Sequence, residues 1–356
     1  MPDLFDPLSL RSVTLDNRIA VSPMCQYQAT DGLANDWHLV HLVSRAVGGH
    51  GLVLVEATGI EPEGRISPGC LGLWNDEQAD ALARITRQLR AHGSVPGLQL
   101  AHAGRKASTA LPWEGKGALT EAHGGWPVVG PSPIAFDDGY PVPNEVGVDD
   151  IARLVTSFRA SAVRALSAGF QLLEVHAAHG YLLHSFHSPL SNARTDAYGG
   201  DHDGRTRFTR EVVRAVREVW PEELPLAVRL SVTDWQEGGW TVDDSVELSR
   251  RLADDGVDLI DCSSGGLTPG ARGPQEPGFQ VPFAERIRRE AGIATAAVGL
   301  ITEPVQAQTI LAEERADLIL LARASLRDPY WPRRAAEELG EKDRLRIPVS
   351  YARGWV

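Results

Sequence analysis

The chain has 356 residues, 43% hydrophobic and 23% charged, enough apolar material to bury a large core. Its 35 basic against 47 acidic residues give a formal net charge of -12. Nucleic acid and anionic membrane both reward clustered Lys and Arg, so neither is expected as the main partner. Three scattered cysteines, Cys25, Cys70 and Cys262, exclude CxxC zinc sites and clusters needing four cysteines, and read as reduced intracellular thiols. Residues 1–6 lack the basic region and apolar core of a signal peptide. No stretch approaches the ~18 apolar residues that span a bilayer, so a cytoplasmic enzyme is expected.

Taken in chain order, residues 4–15 are expected to form a hairpin ahead of the first strand. Strand 18–22 is followed by helix 37–47, and strand 52–56 by helix 76–92. After strand 97–101 comes the longest irregular stretch, 108–147, rich in Gly, Pro and Trp. A loop of that length is usually functional, and because it leaves the C-terminal end of a strand it reads as a cover over the active site. Helix 149–168 follows, with Ile151, Leu154, Val155 and Phe158 at helical spacing and Asp149 and Asp150 in its first turn. The alternation continues as strand 172–175 and helix 205–219, strand 226–230 and helix 242–255, strand 258–261 and helix 282–291. It closes with strand 295–298 and helix 304–312, then strand 317–321 and helix 329–339. The strands are short and almost continuously apolar, as strands buried on both faces of a parallel sheet must be. Eight strand–helix pairs predict a single (β/α)8 TIM barrel over residues 1–356, closed at its bottom by the N-terminal hairpin.

Active sites of such barrels lie at the C-terminal ends of the strands. What stands there is Pro23-Met24-Cys25-Gln26-Tyr27, then Ala57-Thr58-Gly59, then Gln99 leading to His102-Ala103-Gly104-Arg105-Lys106. The fourth strand leads into His176-Ala177-Ala178-His179-Gly180-Tyr181, the fifth contains Arg229, the seventh ends at Gly299 and the eighth at Ala322-Arg323. Loops after strands seven and eight commonly bind phosphate; Gly299 admits close backbone approach and Arg323 supplies a cation, unless they are only a capping glycine and a surface arginine. Arg229 in a barrel mouth requires compensation. Either it and Gln99 face a ligand anion, such as the N1/O2 edge of a reduced flavin, or Arg229 pairs with Glu56 or Glu174.

His176 and His179 can grip one oxygen and polarise a carbonyl or nitro group, and Tyr181 can donate a proton. The spacing alone is weak, since His38/His41 and His184/His187 share it; His38 and His41 are expected to pack on a helix. A metal at His176/His179 needs a third ligand, and Glu174 is expected on the opposite face of its strand, so no metal site is assigned. The soft thiol of Cys25 can lie beside an electron-rich ring and tune its potential, whereas Cys70 and Cys262 read as structural.

The segments 23–27, 99–106 and 176–182, with Ser188-Pro189-Leu190-Ser191-Asn192, Arg194-Thr195-Asp196-Ala197-Tyr198-Gly199-Gly200 and the closing Tyr351-Ala352-Arg353-Gly354-Trp355, resemble the Old Yellow Enzyme family over essentially the whole chain. Cys25, where other branches have threonine, is similar to the thermophilic-like bacterial ene-reductases. The resemblance implies a non-covalent FMN held by Pro23, Met24, Cys25, Ala57, Gln99 and Arg229, with its phosphate on Gly299, Ala322 and Arg323. It implies that NADPH or NADH reduces the flavin. An enone, nitro compound or quinone would then bind through His176 and His179, take hydride from flavin N5 and a proton from Tyr181, with Cys25 and Tyr27 lining the substrate space. It also implies a homo-oligomer, dimer or tetramer, in which Arg353 reaches the neighbouring subunit's site and Trp355 joins that contact. Two positions depart from the family pattern: Ala322 replaces the usual glycine, and 108–147 is longer than in compact members, with Trp113 and Trp126 able to reshape the pocket.

Two other enzyme classes and a scaffold role compete. A metal-dependent barrel hydrolase would want His-x-His after strand one and an acid after strand eight, where Cys25 and Arg323 stand. An iron–sulfur flavin barrel lacks its cysteines. A non-catalytic scaffold would have no use for intact His176, His179 and Tyr181.

Overall fold

The computed structural model describes residues 2–115, 117–346 and 348–354. The chain opens with the antiparallel pair β1 (Leu8–Leu10) and β2 (Val13–Leu15). The barrel begins with β3 (Ile19–Val21), α1 (Asp36–Val47), β4 (Leu52–Gly59), α2 (Asp76–Ala91) and β5 (Val95–Ala101). An excursion follows, carrying only the two-residue strands β6 (Val129–Gly130) and β7 (Asn144–Glu145) and short 3-10 turns. Then come α3 (Val148–Ser167), β8 (Leu172–Ala177), α4 (Leu182–His187), α5 (His202–Arg217), β9 (Leu226–Ser231) and α6 (Val242–Asp254). The barrel is completed by β10 (Leu259–Ser263), α7 (Val281–Ala291), β11 (Ala294–Ala297), α8 (Pro304–Ala312), β12 (Leu318–Leu321), α9 (Arg323–Arg327) and α10 (Trp331–Glu338).

The eight strands β3, β4, β5, β8, β9, β10, β11 and β12 pair in that order, all parallel, and β12 pairs with β3 to close the barrel. All eight expected strands and their helices are present. The short α4 and α9, which carry too few turns to show a periodicity, are additions that the hydropathy pattern did not reveal.

Alternate strand residues divide the core into two layers, because successive side chains of a strand point to opposite faces. Val53 and Val55 pack outward against the helices, while Leu52 and Leu54 point into the barrel. There they meet Leu172, Leu318 and Leu320 together with Leu8, Leu10, Val13 and Leu15 of the hairpin. The hairpin therefore plugs one end and leaves the C-terminal end open for chemistry. Helix starts follow local side-chain chemistry: Asn35 with His38, Asn75 with Gln78 and Thr241 with Asp244 form reciprocal capping boxes on α1, α2 and α6. His38 and His41 are buried on α1, which accounts for that His-x-x-His repeat without chemistry. Among the described residues, no helix is long and apolar enough to cross a membrane.

Candidate active site

At the open end, Arg229 of β9 lies in register with His176 of β8 on one side and Asp261 of β10 on the other. Its Nε is 3.2 Å from Asp261 Oδ2, and its Nη1 donates to Ser22 Oγ at 3.2 Å. The arginine is thus compensated by the chain itself, through Asp261 and not through Glu56 or Glu174, the internal partners weighed against a ligand anion. Glu174 also corrects its reading. It stands two residues before His176 on the same strand, so both point inward, and its Oε1 accepts from Gln99 Nε2 at 2.7 Å. Burial, reinforced by the charge of Asp261, pushes the Glu174 carboxyl up to about 8 and outweighs the pull of Arg229. Burial also lifts Asp261, to about 6. One cation beneath the mouth thus faces two carboxyls of which one stays largely protonated near neutrality. Even with Glu174 on the inner face, no group of three His, Cys, Asp or Glu side chains placed to hold a metal occurs among the described residues.

His176 is the penultimate residue of β8, and His179 and Tyr181 follow in the turn before α4. The two imidazoles are 5.2 Å apart between ring centroids and nearly perpendicular, and His176 meets the Tyr181 ring at 5.0 Å. Burial first, then the nearby charge of Arg229, holds both histidines well below the ordinary imidazole range, so both are neutral at working pH. Nδ1 of His176 is buried without a hydrogen-bond partner among the described residues, which favours the proton on Nε2 and makes that edge the donor. His179 Nε2 shares a 2.7 Å hydrogen bond with Ser263 Oγ. Burial raises the Tyr181 phenol well above its ordinary range, so it keeps a proton to give.

Tyr181, Tyr27 and Lys106 line a cavity of about 500 Å³ whose remaining wall comes largely from the excursion, including Thr109, Phe136 and Tyr140. The excursion thus covers this cavity, and its Trp113 packs edge-on against Tyr27 at 6.2 Å. Trp126 lies elsewhere, under Arg65, whose guanidinium also faces Trp74. Lys106 donates to the carbonyls of His179 and Gly266, both at 2.8 Å, and its ammonium sits 4.3 Å above the Phe136 ring. Burial pushes its pKa down to about 7.

Gly299, Ala322 and Arg323 converge on a second hollow of about 260 Å³. Gly299 has φ 114°, an angle that calls for glycine, and a Cβ there would lie 2.6 Å from Nε2 of Gln280, whose side chain lines the hollow. The methyl of Ala322 meets no left-handed strain, since its φ is -100°.

Ala57 lies where the β4–β5 register shifts between Val55 and Thr58, which frees its backbone from the ladder. Its backbone amide, near the Cys25 thiol, pulls that thiol down slightly. Cys70, read as structural, shares a hydrogen bond with Cys25; that bond and burial push Cys25 up, while the same bond pulls Cys70 down to about 7. Asp261, Cys70 and the contacts of Lys106 escaped the sequence, although inward alternation along 258–261 carried a signal for Asp261. Pro23 and Met24 follow Ser22 just beyond the end of β3, half-buried at the mouth. Arg353 is exposed in a terminal 3-10 turn, and Trp355 lies outside the described residues.

Residues 3–342 match the model of the NADH:flavin oxidoreductase / NADH oxidase family, and the chain belongs to that family. It is 48% identical to an NADPH dehydrogenase of Geobacillus thermodenitrificans over 99% of this chain and 98% of the relative. It is also 48% identical to an NADPH dehydrogenase of Listeria innocua, with both chains fully covered. Among solved structures it superposes on morphinone reductase with a TM-score of 0.78 at 28% identity, covering 96% of this chain and 92% of that one. The Old Yellow Enzyme homologue of Zymomonas mobilis gives 0.78 at 27%, covering 95% and 93%. The match to a 2-naphthoyl-CoA reductase has a TM-score of 0.84 at 25% identity, covering 96% of this chain but only 53% of that longer one. The protein is an Old Yellow Enzyme-type oxidoreductase that uses FMN and a reduced nicotinamide.

Proposed function

We propose that this enzyme reduces activated carbon–carbon double bonds of small α,β-unsaturated carbonyl compounds, with nitro compounds and quinones as further acceptors. The observation that carries the reading is the meeting of two neutral imidazoles and a protonated phenol at the mouth of the barrel. FMN, when bound, supplies the hydride that the nicotinamide delivers.

The residues at the mouth suit that group. Gly299, Ala322 and Arg323 would hold its phosphate, and the positive-φ backbone at Gly299, where a Cβ would press on Gln280 at the wall of that hollow, is the observation that fits it. Pro23, Met24, Cys25 and Ala57 would line the ring, with Gln99 and Arg229 on its polar edge, where a cation stabilises the charge gained on reduction. Donating toward Cys70, the Cys25 thiol stays protonated, so a neutral sulfur faces the ring.

His176 Nε2–H and the free edge of His179 would hold the activating oxygen of the alkene and stabilise the negative charge that develops there. Neutral imidazoles do this without giving up a proton, which reserves protonation of the α-carbon for Tyr181. Tyr27 and the excursion close the cavity and exclude water. Arg353 would complete the site of a neighbouring subunit in a homo-oligomer.

The test is a visible spectrum of purified protein reduced anaerobically with NADPH and then given cyclohexenone. Bleaching followed by recolouring is expected, and Tyr181→Phe should slow recolouring while leaving bleaching largely intact. A colourless protein that takes up no FMN, or equal loss in both steps, would overturn the reading.

A further inference from the structure

The turn that carries His179 and Tyr181 does not hold its shape unaided. His179 and Gly180 both lie at positive φ, 60° and 73°, a conformation that a residue with a Cβ adopts only under constraint. Three contacts act on His179: its N–H donates to Ser231 Oγ at 2.8 Å, its carbonyl accepts from Lys106, and its Nε2 bonds Ser263. The fourth contact is the Gly180 N–H, which donates to His184 Nδ1 at 2.8 Å.

That fourth bond depends on where a proton sits. An imidazole nitrogen accepts only when bare, so His184 must be neutral and carry its proton on Nε2. Nε2 lies 3.0 Å from Asp234 Oδ1, and both side chains are fully buried. The other oxygen of Asp234 is occupied, accepting from Ser188 Oγ at 2.6 Å and from the Trp240 amide at 2.7 Å. Asp234 thus offers one oxygen to two donors, and its other oxygen, beside Nε2 but without hydrogen-bond alignment, favours a proton on that nitrogen by charge.

We propose that Asp234 and His184 form a positioning pair for the substrate-facing turn: Asp234 sets the tautomer of His184, whose bare Nδ1 holds the Gly180 amide and so aims His179 and Tyr181 at the cavity. Neither residue lines that cavity. The inference rests on the roles proposed above for His179 and Tyr181.

Asp234→Asn preserves shape but breaks the pattern. With its NH2 toward Ser188 and Trp240, the amide meets two donors. Flipped, it meets His184 Nε2, which must then surrender its proton to Nδ1 and confront the Gly180 N–H. Either way a buried donor loses its acceptor.

The experiment uses FMN-loaded full-length protein with 15N-labelled histidine. In the wild type, His184 should show an unprotonated Nδ1 and a protonated Nε2; Asp234→Asn should reverse or mix them and slow cyclohexenone reduction at least tenfold. A second variant avoids reliance on Asp234: His184→Asn offers a carbonyl oxygen near the Nδ1 position whatever its neighbour does. It should retain alkene reduction within about fivefold, while His184→Leu loses tenfold or more, and adding Asp234→Asn to His184→Asn should cost little further. An unchanged tautomer together with a wild-type rate in Asp234→Asn, or a His184→Asn as slow as His184→Leu, overturns the proposal. If the tautomer reverses yet Tyr181→Phe leaves recolouring intact, the pair stands and the role of Tyr181 falls.

Discussion

Replacing Gly180 by alanine places one methyl group where the backbone leaves no room. The residue has φ 73°, and a Cβ built on it falls against the Gly266 carbonyl oxygen and 2.9 Å from the Leu267 Cα. Both obstacles are main chain, so no side chain can swing aside. The left-handed conformation costs an alanine about 1–2 kcal/mol, of which about 0.4–1 kcal/mol is returned by the stiffer unfolded chain. To reach ordinary contact, the loop after β10 must retreat by roughly 1 Å in a close-packed setting. That retreat stretches the 2.8 Å bond from Lys106 Nζ to Gly266, a buried contact from a donor with a pKa of about 7, typically contributing about 1–3 kcal/mol. Together these predict a loss of roughly 2–4 kcal/mol in stability. A displacement of that size at reacting groups lowers the rate on the order of 10²-fold. Denaturant unfolding of the FMN-loaded protein and single-turnover cyclohexenone reduction measure the two effects. If the variant unfolds at the wild-type denaturant concentration and reduces cyclohexenone at the wild-type rate, the turn relaxes freely and the reasoning about its imposed geometry is wrong.

Arg229→Met should destabilise by about 3–5 kcal/mol by stranding buried carboxyls. The loss should shrink at pH 5, below the value of about 6 for Asp261, and a penalty equal at pH 5 and pH 8 in urea titrations would contradict that charge assignment. His50 shares hydrogen bonds with the Arg45 carbonyl through Nδ1 and with Ser325 Oγ through Nε2, and burial pushes it down from 6.5 to about 4. Because the folded value is the lower one, the unfolded chain takes the proton first; the contribution is intact above pH 6.5 and is lost as pH falls toward 4. The wild type should lose about 2 kcal/mol between pH 7 and pH 5 through this residue, a slope that His50→Gln should reduce. Gly299→Ala, at φ 114° and 2.6 Å from Gln280 Nε2, should weaken FMN at least tenfold by fluorescence titration; unchanged affinity would remove the phosphate from that hollow.

The sequence by itself determined the architecture. Short apolar runs such as 52–56 and 317–321, buried on both faces, alternate with capped amphipathic helices, and hydrophobic periodicity needs no tertiary partner to be read. It also determined which residues stand at the strand ends, so His176, Tyr181, Gly299 and Arg323 could be named from position alone. Tertiary structure decided whom each charged group meets. Arg229 pairs with Asp261 because β9 and β10 lie side by side in that register, and Glu174 turns inward because it shares the face of His176. The nearness of the free thiols Cys25 and Cys70 and the contact between Asp234 and His184 join residues 45 and 50 positions apart, which only chain closure brings together. Local pattern specifies elements and their ends, while electrostatic partners are set by distances that exist only once the barrel is closed.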